Sequence, residues 1–238
     1  MPLNCARSTS LILGAAVAAT AFALATPVQA GLIPAVELSI QVSDGFDSTF
    51  EPVGTDRGGG IFNFMGALNE TNFSIDWDFN ADPTLDGGAF VGNNFTIENV
   101  SDETLEFNIM VTLPLDGGGG PVDYFGSTGF TLSGTDATAA TLGDGISMWE
   151  AMADGAEVAS LFDHPSSLMF TGPGTMTASD NLPGGVLAMV SDSIGIRLNF
   201  SLTPGDTLTA TGNFAVIPAP SALALLGLGL LGRRRRRN

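Results

Sequence analysis

The chain has 238 residues, with 25 acidic side chains against eight arginines and no lysine, and its formal net charge is −17. Six arginines lie at the two ends, so residues 31–217 hold two arginines and all 25 acids, a balance of 2 − 25 = −23. So acidic a segment repels phosphate backbones and anionic lipid headgroups, which excludes nucleic acids and membrane surfaces as partners of this part. Its 44% hydrophobic content predicts that it folds.

The first 30 residues are predicted to be a secretory signal peptide. Arg7 precedes an apolar run, residues 11–24, and the small residues Val28 and Ala30 occupy the −3 and −1 positions of a cleavage site. We expect cleavage after Ala30. An uncleaved anchor is the alternative, but the apolar run is shorter than the about 20 residues that span a bilayer. Cys5 leaves with the signal, so the mature chain has no disulfide and no thiolate metal site.

Residues 216–238 combine three elements in a fixed order. A Pro-Ala-Pro element is followed by a stretch rich in Leu, Gly and Ala, and then by a block of arginines. Residues 215–231 are 17 positions without a charge, at the short end of the spanning range, and the arginines hold that end in the cytoplasm. We therefore predict a short C-terminal transmembrane helix, with a buried core helix as the alternative. The named positions are Pro218, Ala219 and Pro220, then Arg233, Arg234, Arg235, Arg236 and Arg237.

This C-terminal segment resembles the PEP-CTERM sorting signal of exported bacterial envelope proteins. The resemblance implies that an exosortase-type membrane enzyme processes the chain near its Pro-x-Pro element, and that this element and the arginines are the sorting residues. Ala219 stands where the family usually has Glu. The resemblance further implies transit through the inner membrane, a transient or retained C-terminal anchor, and release or display at the surface of an envelope that produces exopolysaccharide, a candidate partner. It assigns no activity to the body.

The body, residues 31–215, is predicted to be a single all-β domain, either an antiparallel β-sandwich or a jelly roll. Apolar and polar residues alternate with a period of two, which is typical of strands with one face in a core, and turns rich in Gly, Asp and Pro separate them. About ten to twelve strands fit this length. The alternating segments are 36–42, 73–79, 103–113, 193–202 and 208–214.

Residues 146–162 fit two interpretations. The spacing of Met148 and Met152 is tolerable for a helix, but Asp154-Gly155 divides the segment evenly, and Asp-Gly favours a type I′ hairpin turn. We predict two strands, 146–153 and 156–162, which share a face formed by Trp149, Ala151 and Val158.

The sequence carries no catalytic constellation, and we predict that the protein is not an enzyme. His164 is the only histidine, and beside Pro165 it is expected in a loop. A zinc site of the usual nitrogen and sulfur ligands is therefore excluded, and no Gly-x-Ser-x-Gly turn presents a serine. Paired carboxylates for glycoside hydrolysis are an alternative, although Trp77, Trp149 and Tyr124 are the only aromatic platforms besides phenylalanine.

Calcium is the one candidate cofactor. Oxygen-bearing side chains recur at every second position of residues 76–86, as in the first half of an Asp-x-Asn-x-Asp calcium loop. Pro83 replaces the turn glycine of such a loop, and Ala89 stands where a bidentate Glu is needed. A strand with a solvated acidic face is the alternative. The candidate ligands are Asp78, Asn80, Asp82 and Asp86.

Three functional hypotheses follow. The first is an exported, non-enzymatic component of the cell surface or extracellular matrix, because both ends carry sorting information and no catalytic group lies between them. The second is a calcium-dependent carbohydrate-binding or adhesive module, suggested by the acidic ladder beside Trp77. The third is a polysaccharide-active hydrolase.

Overall fold

The computed structural model describes residues 32–85, 88–117 and 120–219, and throughout these residues the chain is strand, turn or loop. No helix in these ranges is long and apolar enough to cross a membrane. The predictions for the signal peptide with its cleavage residues Val28 and Ala30, for the transmembrane helix, for Pro220 and for the arginine block concern residues outside the described ranges. The strands are β1 (Glu37–Val42), β2 (Asp47–Phe50), β3 (Gly54–Gly58), β4 (Ile61–Asn69), β5 (Phe73–Asp82), β6 (Ala89–Asn99), β7 (Leu105–Pro114), β8 (Val122–Thr135), β9 (Thr138–Ala140), β10 (Trp149–Ala153), β11 (Ala156–Leu161), β12 (Ser167–Met169), β13 (Pro173–Asn181), β14 (Gly185–Leu187), β15 (Ser193–Leu202) and β16 (Thr207–Pro218).

The all-β prediction is confirmed, and each of the five alternating segments is a strand. In β7, for example, every second residue from Leu105 to Leu113 is buried, while the residues between them are exposed or half-buried. Side chains point to opposite faces at successive positions of a strand, so a period of two places one face in the core. The described ranges contain sixteen strands, more than predicted, because short strands such as β9 and β12 have too few residues to show a period.

The strands form two antiparallel sheets. Sheet A has the order β11-β10-β15-β7-β1-β2, with β9 also paired to β15 and β12 to β9. Sheet B has the order β13-β8-β16-β6-β5-β4-β3, with β14 also paired to β8. The last strand, β16, therefore lies in the interior of sheet B, between β8 and β6, so that sheet B is completed only when the C-terminal end of the body is in place.

Aromatic side chains fill the space between the sheets. Phe73 of sheet B meets Phe107 of sheet A edge to face, with ring centroids 5.8 Å apart, and Phe107 stacks on Phe200 at 5.3 Å. Trp149 of sheet A is fully buried and reaches sheet B, where its ring approaches Gly126 and Gly212. These contacts bring the inner faces of the two sheets together in the manner of a β-sandwich.

The hairpin predicted for residues 146–162 is confirmed and the helix alternative is wrong, although β10 begins at Trp149 instead of residue 146 and β11 ends at Leu161. β10 and β11 pair antiparallel, and Asp154 and Gly155 have φ values of 49° and 76°, the positive pair that a type I′ turn requires. The register shifts after Ala151, which makes Val158 the extra residue of a bulge. Val158 nevertheless packs against the same core as Trp149 and Ala151.

The last strand of the body extends past residue 215, the predicted start of the C-terminal segment being residue 216. β16 continues to Pro218, and Val216 is fully buried in the core. The amide of Ala219 then donates to the carbonyl of Pro121 at 2.9 Å. Hydropathy alone does not show where β16 ends, because its apolar end runs directly into an apolar segment, and a buried strand and a spanning segment are equally apolar.

Several large rings lie against glycines. Trp77 is the register partner of Gly66, and a Cβ built on Gly66 would overlap Cζ2 of the Trp77 ring. Phe64 covers its own partner Gly54 in the same way, with a ring carbon 2.6 Å from the Cβ position. The glycine leaves room for the ring, and the ring covers backbone that glycine would expose.

We predict that Gly66→Ala destabilises the protein by about 1–3 kcal/mol, because the new methyl group would displace the packed indole of Trp77. Gly92→Ala is the matched control, since Gly92 is also a strand residue of sheet B and its Cβ would meet nothing closer than 3.7 Å. Gly92→Ala should change stability by less than about 0.5 kcal/mol or increase it. Urea unfolding followed by circular dichroism measures both variants, and equal effects would contradict the packing argument.

Candidate functional site

The candidate calcium ligands lie along one strand. Asp78, Asn80 and Asp82 belong to β5 and point away from sheet A, whereas Phe79 and Ala81 point into the core. Ligands at every second position of a strand are about 7 Å apart, too far for three of them to reach one ion at about 2.5 Å. The structure places these three residues on one face but does not bring them to one point, and Asp86 lies outside the described residues.

Two of these oxygens already have a protein partner. The Asn63 side-chain nitrogen donates to Oδ1 of Asp78 at 2.6 Å and to Oδ1 of Asn80 at 3.2 Å. The Asn63 oxygen accepts from Arg57 at 2.9 Å, so a chain of hydrogen bonds connects the Arg57 guanidinium to the ladder. Within the described residues, no group of three or more His, Asp or Glu side chains is arranged to hold a metal ion.

His164 lies in the loop between β11 and β12, as predicted. Its Nδ1 is 2.8 Å from the Thr141 hydroxyl, and its Nε2 is 3.1 Å from a carboxylate oxygen of the exposed Asp144. The Thr141 hydroxyl also contacts the amide and the carbonyl of Ser166, each at 3.3 Å. The cluster therefore ties the β11–β12 loop to the residues that follow β9.

A buried ion pair lies on the side of sheet A that faces away from sheet B. Glu150 is 3% exposed, and its Oε2 lies 3.2 Å from Nη1 of Arg197, its register partner on β15. Nη2 of the same guanidinium donates to the sulfur of Met152 at 3.3 Å. Burial raises the pKa of Glu150, and the positive charge of Arg197 offsets only part of that rise. Period-two alternation assigns Glu150 to the outward face, but nothing in the sequence reveals that this part of the face is covered.

Asp154 accepts hydrogen bonds from the chain segment that enters β15. Its Oδ1 accepts from the amides of Asp192 at 2.7 Å and Ser193 at 3.1 Å, and both carboxylate oxygens lie within reach of the Ser191 amide. Burial acts to raise the pKa of Asp154, but these amides together outweigh it and lower the pKa below its ordinary value. The carboxylate thereby connects the β10–β11 turn to the start of β15.

We predict that Asp154→Ala costs about 1–2 kcal/mol at neutral pH, through the lost hydrogen bonds and the strained turn position. Asp154→Asn is the matched control, because asparagine tolerates the positive φ and keeps one acceptor. A carboxylate with a lowered pKa stabilises the folded state above its ordinary pKa of about 3.9 and loses that contribution as the pH falls through the folded value. The stability difference between the wild-type protein and Asp154→Asn should therefore decrease as the pH falls below the ordinary pKa of the side chain; a difference that does not change on acidification would contradict the assignment.

The outer face of sheet B, the face that points away from sheet A, carries two shallow clefts. One, of about 370 Å³, is lined by side chains of β8, β13 and β16 that include Ser127, Ser179 and Thr211. The other, of about 470 Å³, lies over β4, β5 and β6 and includes Asp78 and Asn94. Thr211 and Asn94 are register partners, so the two clefts are neighbours on the same face. The sequence does not reveal this face, because its members come from strands far apart in the chain.

Comparison with protein families finds no match for this chain, and comparison with curated proteins finds none either. Among solved structures, the structure of the infectious bursal disease virus Gx strain is similar over 78% of this chain, at 15% sequence identity and a TM-score of 0.26. This chain covers 56% of the viral chain.

Proposed function

We propose that this protein is an exported, non-enzymatic β-sandwich that works at the cell surface or in the extracellular matrix, and that its C-terminal residues direct it there. The observation that carries the proposal is the order of elements at the chain end: a folded body that finishes in a central strand, then Pro218-Ala219-Pro220, an apolar stretch and five arginines. A signal peptide at the other end gives the same direction of transport.

The positions of the chain ends support this arrangement. Pro218, the last residue of β16, pairs with Val122 at the start of β8. Glu37, the first residue of β1, pairs with Thr112 near the end of β7, and the seven residues 115–121 connect the end of β7 to the start of β8. The chain therefore enters and leaves the sandwich at one end, which leaves the opposite end and both sheet faces free when the C-terminal residues are held.

The position at which β16 ends limits the length of the proposed membrane segment. After Ala219 the charge-free residues are 220–232, thirteen positions. As a helix they would reach about 20 Å, whereas the hydrocarbon core of a bilayer is about 30 Å thick. Arginine side chains can extend toward the interface and reduce this mismatch. So short a segment suits a transient anchor that a membrane enzyme reads and processes better than a lasting one.

Replacement of the five arginines by serines tests the proposal. In the native host we expect the wild-type chain in the membrane and in a processed, exported form, and the serine variant exported but unprocessed. Five lysines are the matched control, because they keep the positive charge that sets orientation and remove the guanidinium groups. Fractionation with immunoblotting against the body measures all three. A cytoplasmic wild-type chain, or identical processing of the serine variant, would refute the proposal.

A further inference from the structure

The outer face of sheet B presents ordered rows of hydroxyl and carboxamide groups. In one row Thr177, Thr131, Thr209 and Thr96 are successive register partners across four strands. In the next row Ser179, Gly129, Thr211 and Asn94 follow one another in the same way. Neighbouring strands are about 4.8 Å apart, so each row repeats polar groups at that interval across the sheet.

The outward-facing positions of three strands carry no charge over the length of the rows, although residues 31–217 as a whole have a charge of −23 and Asp180 lies on the opposite side of β13. Acidic side chains enter the rows only on β6 and β5, at Glu98, Asp76 and Asp78. The uncharged outward residues are Thr175, Thr177, Ser179 and Asn181 on β13, Ser127, Gly129, Thr131 and Ser133 on β8, and Thr207, Thr209, Thr211 and Asn213 on β16.

The second row, from Ser179 to Asn94, lines both neighbouring clefts, and the first row lines one of them at Thr96. The row from Ser179 continues through Asn94 to Asp78 and Met65, and so crosses six strands, or about 24 Å. Met65, at the far end of this row, is 63% exposed. Gly129, which has no side chain to project, keeps the floor low under the first cleft.

We propose that the outer face of sheet B binds a neutral linear polysaccharide along these rows, without calcium. Phosphate-bearing polymers and anionic glycans would be repelled by the charge of the body, and a polycation would be drawn to its acidic residues instead of its uncharged rows. Dense neutral donors and acceptors on an extended, shallow surface match the hydroxyl groups of a neutral glycan chain. The inference rests on the folded body alone and does not depend on the proposed export.

Affinity electrophoresis of the full chain in native gels tests this inference, in a zwitterionic detergent without a sugar headgroup. The probes are hydroxyethyl cellulose, galactomannan and soluble amylose as neutral polymers, with alginate as the anionic one. We expect at least one neutral polymer to retard the protein and alginate not to retard it. The retardation should be the same in about 5 mM calcium and in about 1 mM EDTA. Retardation by none of the neutral polymers, or retardation that EDTA abolishes, would overturn the proposal.

Two matched double variants locate the site. Thr131→Val with Thr209→Val removes two neighbouring hydroxyls from the rows, and valine keeps the strand propensity and shape. Thr49→Val with Thr112→Val removes two hydroxyls from the outward face of sheet A, where Thr49 is exposed and Thr112 is half-buried. We expect the first pair to raise the dissociation constant about tenfold and the second to leave it unchanged, with both variants melting as the wild-type protein does. If Thr131→Val with Thr209→Val bound the polymer as tightly as the wild-type chain does, the site would not lie on these rows of sheet B.

Discussion

Replacing Arg197 by methionine should destabilise the folded protein by about 3–5 kcal/mol at neutral pH, because the carboxylate of Glu150 would then stay buried without its counter-charge. Glu150 is 3% exposed, and the guanidinium of Arg197, 3.2 Å away, is the positive group that faces it. Methionine retains much of the arginine stem's volume, so the loss reports on charge more than on packing.

The pH dependence of this loss has a definite sign. Burial raises the pKa of Glu150, so the cost of its charged form is absent below the ordinary pKa of the side chain, increases as the pH rises from that value to the folded value, and stays constant above it. Without Arg197 that cost is larger. The deficit of Arg197→Met relative to the wild-type protein should therefore be small near pH 4 and greatest at neutral pH, in urea unfolding series at each pH.

Two further variants separate this interpretation from a general effect of removing arginine. Arg57→Met removes the other arginine of the body, which is exposed and donates one hydrogen bond to Asn63, and should cost no more than about 1.5 kcal/mol. The double variant Glu150→Gln with Arg197→Met removes both charges and should recover most of the lost stability. If Arg197→Met were as harmless as Arg57→Met, or if the double variant were no more stable than Arg197→Met, the ion pair would not be the cause.

Trp149→Ala should cost about 3–5 kcal/mol, the range for removing a large aromatic side chain from a packed core. Trp149 is fully buried and joins the sheets, with its Cη2 2.8 Å from the Cβ position of Gly126 and its Nε1 3.0 Å from that of Gly212. Its indole nitrogen has no hydrogen-bond partner among the residues that the structure describes, so Trp149→Phe loses ring volume but no such bond and should cost less than half as much.

Trp77→Ala is the matched control for Trp149→Ala. Trp77 is half-buried on sheet B and covers Gly66. Its removal should cost about half as much as that of Trp149, because it removes less apolar surface from water in the folded state. The free energy of unfolding in urea, followed by far-ultraviolet circular dichroism, measures the three variants. Equal losses for Trp77→Ala and Trp149→Ala would contradict the central position of Trp149.

The sequence by itself determined the all-β fold, the long strands and the β10–β11 hairpin. These features depend on local rules: a period of two identifies a strand with one buried face, and Asp154-Gly155 supplies the positive φ values that the turn requires. The concentration of acidic residues in the body is likewise a property of the chain alone. Local patterns did not locate the end of β16, because Val216 is as apolar in a core strand as in a membrane segment.

Only the tertiary structure decided which residues meet across strands. Glu150 and Arg197 are 47 positions apart in sequence, and Thr131 and Thr209 are 78 apart, yet each pair are direct register partners. Pairing between distant strands depends on which edges come together during folding, and no periodicity within one strand specifies it. For the same reason Asp78, Asn80 and Asp82, which resemble part of a calcium loop in sequence, are spread along a straight strand that its neighbours hold extended.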